Sequence, residues 1–496
     1  MRHIAAALAA AVGLSACGGA AQPASYVPQA LRGRANGTPI KHVVILIQEN
    51  RSFDNLFAAF PGADGTTTGK VAAMSPDEQS YCRSNGMPAF AKPGSVNLQK
   101  TDLIGSGFGK SGKFLEDTDL DHIHVGFEAE RDGGKMDGFD IVGSNADGSG
   151  PPVCTYPYQY VDPSQIAPYW DIAKEYVLAD HTFQTQGSGS FTAHQDLIAG
   201  GTQLNSDEAL IDNPTYFPWG CDANRSVVTA VIKRNGKVYR YGGPFPCFPP
   251  AGETYTTMRD LLDAKSVSWK FYAMPVQKET GCQHGDTPGI WSAFDAIKAV
   301  RYSSEWQSNV TRRSAAIFSD VSSRKLPAVA WITPDALNSD HPSEYEHAPC
   351  GTGGPPADTG PSWVAQVVDA IGQSSYWDST AIVVLWDDWG GFYDHVAPPP
   401  RQGWQGGPGF RVPVLIVSPY VKPHVDHTVY EFGSILRFVE ETFGLGSLGK
   451  NDSDSTSIGN AFDFHMSPRK FATIPSKYSR EYFLHQQPSG IAPDTE

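Results

Sequence analysis

Two short polar pairs, Glu49-Asn50 and Asp387-Asp388, carry the chemistry most readily argued from this sequence. Each follows an apolar run, Val43-Val44-Ile45-Leu46-Ile47 in the first case and Ala381-Ile382-Val383-Val384-Leu385-Trp386 in the second. Such runs read as strands buried on both faces, the kind found in parallel sheets covered by helices, and in those sheets ligands bind outside the carboxyl ends of the strands. Three carboxylates and an amide oxygen at neighbouring strand ends are hard oxygen donors that suit a divalent cation. Buried without one, the carboxylates would repel each other and be driven toward protonation. Adjacent aspartates also suit a helix cap or a turn. The surrounding "WDDWGGFYDHVAPP" is richer than a turn requires, because its two glycines let the backbone approach a neighbour closely.

A nucleophile is the second requirement. In "ADHTFQTQGSGSFTAHQDLIAGG", Ser188-Gly189-Ser190 precedes a helix predicted over Phe191 to Ala199. Backbone N–H groups and the positive dipole end at a helix N-terminus favour an incoming phosphate or sulfate. Serine is equally a preferred N-cap, and most such serines only cap. The acidic strand ends shift the balance, since a serine oxygen activated by a metal is a competent nucleophile. Histidines supply the third element: His122 and His124 in "DLDHIHVGFEAERDGGKMDGFD", His341 and His347 in "NSDHPSEYEH", and His194, one helical turn after Ser190. A single histidine is more often a structural hydrogen-bonder; several in Gly- and Asp-rich loops near one sheet mouth suit proton transfer.

These residues need a frame. Further apolar runs at "EYVLADHTF", "SWKFYA", "PAVAWITPD" and "VPVLIVSPY" read as strands, and "DTPGIWSAFDAIKAVR", "PSWVAQVVDAIGQS" and "YEFGSILRFVEETFG" as amphipathic helices between them. Their alternation predicts an α/β protein, a three-layer α/β/α arrangement around a mainly parallel sheet. Asn235-Gly236 between β-prone flanks predicts a small antiparallel hairpin insertion near residues 226 to 242. The chain's 496 residues, 40% hydrophobic, can bury a substantial core. A net charge of -15, with no clustered Lys and Arg, argues against nucleic acid as a partner.

The first residues, "MRHIAAALAAAVGLSAC", have a basic start, an apolar stretch and small residues before Cys17, the pattern of a secretory signal too short for a permanent membrane span. Leu14-Ser15-Ala16-Cys17 is similar to a bacterial lipobox, whose cleavage leaves a lipidated cysteine as a membrane anchor. Seven cysteines leave an odd one, and lipidation of Cys17 accounts for it. The remaining six, at 82, 154, 221, 247, 282 and 350, can form three disulfides in an oxidising compartment, with no pairing implied by spacing. The expected organisation is a signal peptide over 1–16, a flexible tether over 17–39, one catalytic domain over 40–480 and a tail over 481–496. The expected location is exported, anchored in a bacterial membrane, outer membrane included, or secreted.

The stretches "HVVILIQENRSFDNLF", "DHIH…GGKMDGF", "SFTAHQDLIAG", "WSAFDAIKAVRYSSEW", "WITPDALNSDHP", "DDWGGFYDHVAPP" and "RVPVLIVSPYVKPHVDHTVYEFGSILRFVEETFGL" occur in this order between about residues 40 and 445. Through them the chain resembles the phosphoesterase family of bacterial and plant non-zinc phospholipases C and acid phosphatases, within the alkaline-phosphatase-like superfamily. The resemblance implies Glu49, Asn50, Asp387 and Asp388 as ligands of one divalent metal, with Ser190 as both ligand and nucleophile. It implies His122 and His341 as phosphate-binding or proton-transferring residues, with His194 and His284 on the phosphate. The metal is calcium, magnesium or manganese by its oxygen ligands, or zinc or iron by superfamily precedent. The implied reaction passes through a phosphoserine, on a phospholipid or a smaller phosphate ester. The chain departs from the family in reading Ser188-Gly189-Ser190 where Gly-Pro usually precedes the nucleophile, which keeps Ser188 as an alternative. In place of the histidine pair found in acid phosphatases it has only His284. The tyrosines of "CTYPYQYVDPSQIAPYW" read first as core packing and second as a choline box. A different class of reading is a non-catalytic, cation-binding surface lipoprotein whose acidic strand ends only hold the fold together.

Overall fold

The computed structural model describes residues 38–103, 120–144, 148–215, 219–274, 289–342, 358–400 and 407–487. Eight strands build its main sheet: β1 (His42–Gln48), β2 (Val177–Ala179), β3 (Trp269–Tyr272), β4 (Val310–Thr311), β5 (Val329–Ile332), β6 (Thr380–Trp386), β7 (Val414–Val417) and β8 (His424–Asp426). Their spatial order is β4-β3-β5-β1-β6-β7-β2-β8. The central strands β5, β6 and β7 are buried at every position, as unbroken apolar runs require.

β1 lies between β5 and β6 and is parallel to both. β7 is the exception in direction, antiparallel to β6 on one side and to β2 on the other. An apolar run carries no direction, so "VPVLIVSPY" gave no warning. A parallel pair needs a crossover, usually helical, whereas the connection from β6 to β7 has no helix among its described residues.

Register assigns the two sheet faces. Gln48 pairs with Trp386, and their side chains meet α1 (Ala167–Glu175) and the loop after β5: Gln48 Nε2 donates to Tyr169 Oη (3.1 Å), and Trp386 Nε1 to Asp340 Oδ2 (3.2 Å). Ile45 pairs with Trp331, of opposite parity, and Trp331 Nε1 donates to the Leu197 carbonyl of α2 (Ser190–Ala199) at 3.1 Å. Helices thus cover both faces. α1 packs with α3 (Gly360–Gly372), and α2 packs with α4 (Phe432–Phe443).

Three local expectations change. The hairpin is present as Ala230–Lys233 against Val238–Tyr239, and Glu208–Ile211 adds a third strand. The helix expected across "DTPGIWSAFDAIKAVR" is broken into a 3₁₀ turn (Ala293–Ala296) and a short helix (Lys298–Arg301). Phe248 is the cause: its N–H donates to the Ala296 carbonyl and its carbonyl accepts from Lys298 N–H, so a remote segment of the same chain takes bonds a continuous helix would have made internally. The folded body also runs past residue 480. Helix α5 (Arg480–His485) buries Phe483 against Trp363 of α3, with ring centroids 5.4 Å apart.

Cys82 pairs with Cys154 and Cys221 with Cys247. Cys17, Cys282 and Cys350 lie outside the described residues. Among the described residues no helix is long and apolar enough to cross a membrane.

Candidate active site

Three adjacent strands, β5, β1 and β6, end at one place. Glu49, one residue beyond β1, has the parity of Ile45 and Ile47 and therefore faces α2. Asp387, one beyond β6, shares its face, and the Asp387 N–H donates to the Gln48 carbonyl at 3.0 Å, which extends the ladder by one step. The chain then turns sharply. Asn50 adopts φ 55°, its N–H donates to Asp387 Oδ1 (3.0 Å), and Arg51 N–H donates to the Asp388 carbonyl (3.0 Å). The close approach expected of the Gly-Gly pair is to Asn50 itself. A Cβ on Gly390, at φ 58°, would sit 2.3 Å from the Asn50 carbonyl oxygen.

Helix α2 brings its first turn onto these strand ends. Its N-cap is Gly189, and Ser190 is its first residue, so Ser190 is not spent on capping. Ser190 Oγ donates to Asp388 Oδ2 at 3.1 Å and lies 3.5 Å from Asn50 Oδ1. Ser188 is used differently: its Oγ accepts from Asp212 N–H (2.7 Å) and from the Thr192 hydroxyl (2.6 Å), and donates to Asp212 Oδ1 (3.2 Å). One turn after Ser190, His194 reaches 3.0 Å from Glu49 Oε1 and 3.6 Å from Asp387 Oδ2. His194 thus stands beside the carboxylates expected to bind the metal.

His122 holds the other side of Asn50. Its Nδ1 donates to the Leu120 carbonyl (2.8 Å), which leaves Nε2 to accept from Asn50 Nδ2 (3.0 Å) and aims the Asn50 amide oxygen toward Ser190. The His341 ring lies 6.5 Å from that of His122 and 5.8 Å from that of Trp291. Just before His341, Asp340 accepts from Tyr169, Gln48 and Trp386, and burial holds its carboxyl above the usual carboxylate range. His124 turns away to the Gly187 carbonyl (2.7 Å). His284 and His347 lie outside the described residues. Tyr158 and Tyr169 are fully buried, so the core reading of that aromatic stretch holds for both.

A metal fits here on the protein's own terms. Glu49, His194, Asp387 and Asp388 are all inaccessible to solvent, and donor atoms of the first three lie within 4.8 Å of one another. Asp387 Oδ1 is taken by two backbone N–H groups, while its buried Oδ2 has no hydrogen-bond partner. Two converging buried carboxylates beside an imidazole, with the buried Asp388 carboxylate next to them, suit a compensating cation.

Sequence reasoning missed Asn213, whose Oδ1 accepts the Phe191 N–H (3.1 Å) at the start of α2, and Asp212, which fixes Ser188. Both belong to a turn after Ile211 in which Asp212 has φ 58°. The Asp-Asn-Pro composition of that turn was the available signal.

With this geometry in view, the relatives can be placed. The model of the Phosphoesterase family matches residues 40–446. The chain belongs to the Phosphoesterase family. It is a hydrolase of the kind that acts on phosphoric ester bonds. Phospholipase C B of Mycobacterium tuberculosis is 27% identical over 449 residues, which cover 82% of this chain and 74% of that protein. Non-specific phospholipase C6 of Arabidopsis thaliana is 29% identical over 447 residues, covering 83% and 69%. Non-hemolytic phospholipase C of Pseudomonas aeruginosa is 26% identical over 465 residues, covering 86% and 56%. Among solved structures, a protein in the alkaline phosphatase superfamily from Vibrio parahaemolyticus overlaps 59% of this chain and 65% of its own, at 12% identity and a TM-score of 0.32. That overlap is too low to inform the site.

Proposed function

We propose that this phosphoesterase hydrolyses its ester with Ser190 as nucleophile and a divalent metal held by Glu49, Asn50, Asp387, Asp388 and Ser190, with His194 added to the set. The observation that carries the reading is Ser190 Oγ, placed 3.1 Å from Asp388 by a helix N-terminus that another residue already caps. When bound, the metal would neutralise the carboxylates and lower the pKa of the serine hydroxyl.

The protein's own groups account for the rest. Asp388 takes the Ser190 hydrogen bond and orients Oγ, and the N–H end of α2 favours negative charge arriving beside it. Attack by Ser190 Oγ on phosphorus, its hydroxyl proton passing along the hydrogen bond to Asp388, breaks the bond to the ester oxygen and yields a phosphoserine. The leaving oxygen takes a proton from the His341 imidazole, while His122, whose Nε2 accepts from Asn50, keeps the Asn50 amide oxygen turned toward Ser190. Water then attacks phosphorus and gives a proton back to the imidazole, while Asp388 returns its proton to Ser190 Oγ as phosphate leaves.

The substrate reading is a phospholipid cleaved as by a phospholipase C, or a smaller ester cleaved as by an acid phosphatase. The phospholipase names of the relatives support the first. Export is supported by the disulfides Cys82–Cys154 and Cys221–Cys247, which form in oxidising compartments, and the lipid anchor on Cys17 rests on the lipobox-like Leu14-Ser15-Ala16-Cys17.

Ser190→Ala should reduce hydrolysis of an aryl phosphate by at least about 10³-fold while moving the melting temperature little. Retained activity would sink the nucleophile assignment. Rates on an aryl phosphate, an aryl phosphorylcholine and phosphatidylcholine, with and without chelator, then identify the ester. Wild-type inactivity on all three would favour a cation-binding lipoprotein.

A further inference from the structure

A second group of metal-type donors stands two strands away from the Ser190 site, where β2 and β8 form the edge of the sheet. Asp180 follows β2 and is fully buried; His181 is next in the chain, and His427 follows β8. His181 Nδ1 lies 2.8 Å from Asp180 Oδ1, and His427 Nδ1 lies 3.0 and 2.9 Å from the two Asp180 oxygens. One donor atom from each of the three falls within 4.8 Å of the others.

The surroundings of the cluster bear on what it could bind. His181 has carboxylates at both ring nitrogens, Asp180 at Nδ1 and Asp64 Oδ2 at Nε2, 3.3 Å away. A neutral imidazole carries one N–H, so it satisfies one of these contacts and turns a lone pair toward the other carboxylate. If Nε2–H points to Asp64, then Nδ1 and Asp180 Oδ1 face each other as two electron-pair donors, the arrangement a cation between them resolves. Metal-bound histidines usually donate their second ring N–H to a carboxylate, which is the place Asp64 holds. The Asp64 backbone N–H also donates to Asp180 Oδ2 (2.8 Å), fixing the buried carboxylate from behind. His395 Nε2 touches the other Asp64 oxygen at 3.3 Å, so Asp64 is held from two sides.

We propose that Asp180, His181 and His427 form a second divalent-cation site, with Asp64 orienting His181. Two imidazoles and one carboxylate suit zinc better than calcium or magnesium, and the 59% exposure of the His427 side chain leaves a coordination position open to water. The ion ties the loop carrying Asp64, the end of β2 and the turn after β8 into one unit. The site shares no residue with the Ser190 cluster.

The test uses the untagged full chain dialysed against micromolar zinc, with bound metal counted by elemental analysis. His427→Ala should hold one equivalent fewer than wild type while keeping its aryl phosphatase rate. Glu49→Gln should lose a different equivalent, so the double variant loses both, and failure at one site is distinguishable from failure at the other. His181→Ala should match His427→Ala in count. Zinc should raise the wild-type melting temperature more than that of His427→Ala. Equal zinc per chain and equal thermal response in wild type and His427→Ala would overturn the site.

Discussion

At the scale of single residues, the pair Ser188 and Ser190 shows how differently two hydroxyls two positions apart are employed. Ser188 Oγ satisfies the Asp212 N–H and the Thr192 hydroxyl in a fully buried corner, so Ser188→Ala leaves them without that partner. A loss of about 1–3 kcal/mol in urea unfolding is expected, with kcat on an aryl phosphate kept within about tenfold of wild type. Ser190→Ala should do the reverse, sparing stability and removing activity. The sequence made both serines visible and favoured Ser190 only through the family resemblance. What separates them is Asp212, 24 positions downstream of Ser188 and held in a left-handed turn. Glu49, Asn50, Asp387 and Asp388 were legible because each pair ends an apolar run long enough to be a buried strand. His194 was visible as one helical turn from Ser190, but its place beside Glu49 depends on the angle at which α2 meets β1, which periodicity does not encode.

At the scale of elements, α4 carries a titration that bears on stability. Burial, reinforced by the nearby Asp452 carboxylate, pushes the Glu440 carboxyl up to about 8. As pH rises past the ordinary glutamate value, the unfolded chain releases this proton while the folded chain retains it. The contribution of Glu440 to stability therefore declines with rising pH and levels off above about 8. Between pH 5 and pH 8.5 the melting temperature of wild type should fall further than that of Glu440→Gln; parallel curves would show that the residue ionises freely. Strands and helices with strong patterns, such as β1, β6, α3 and α4, were readable from apolar spacing alone. The direction of β7 was not, because pairing sense depends on the connection. The break at Ile297 was not either, because Phe248, which causes it, is remote in sequence.

At the scale of the whole molecule, the two disulfides among the described residues restrict the unfolded chain. Cys82 and Cys154 enclose a separation of 72 residues, worth about 4.4 kcal/mol by loop-closure entropy. The separation of 26 between Cys221 and Cys247 is worth slightly less, about 3.5 kcal/mol. Reductant should lower the melting temperature by several degrees, and the double variant Cys82→Ala/Cys154→Ala should account for the larger share. An unchanged melting temperature after complete reduction, verified by thiol counting, would contradict that estimate. The even division of β1 between two helices sets a further condition on the whole chain. Gln48 belongs to the α1 side and Glu49 to the α2 side, so deleting one codon between Val43 and Gln48 turns the carboxylate away from Ser190 and lodges an amide in its place. Exchanges among Val, Ile and Leu in the same stretch keep that phase and cost under about 1.5 kcal/mol. A library of deletions and substitutions scored for phosphatase activity should therefore divide at β1 by reading-frame length more sharply than by residue chemistry.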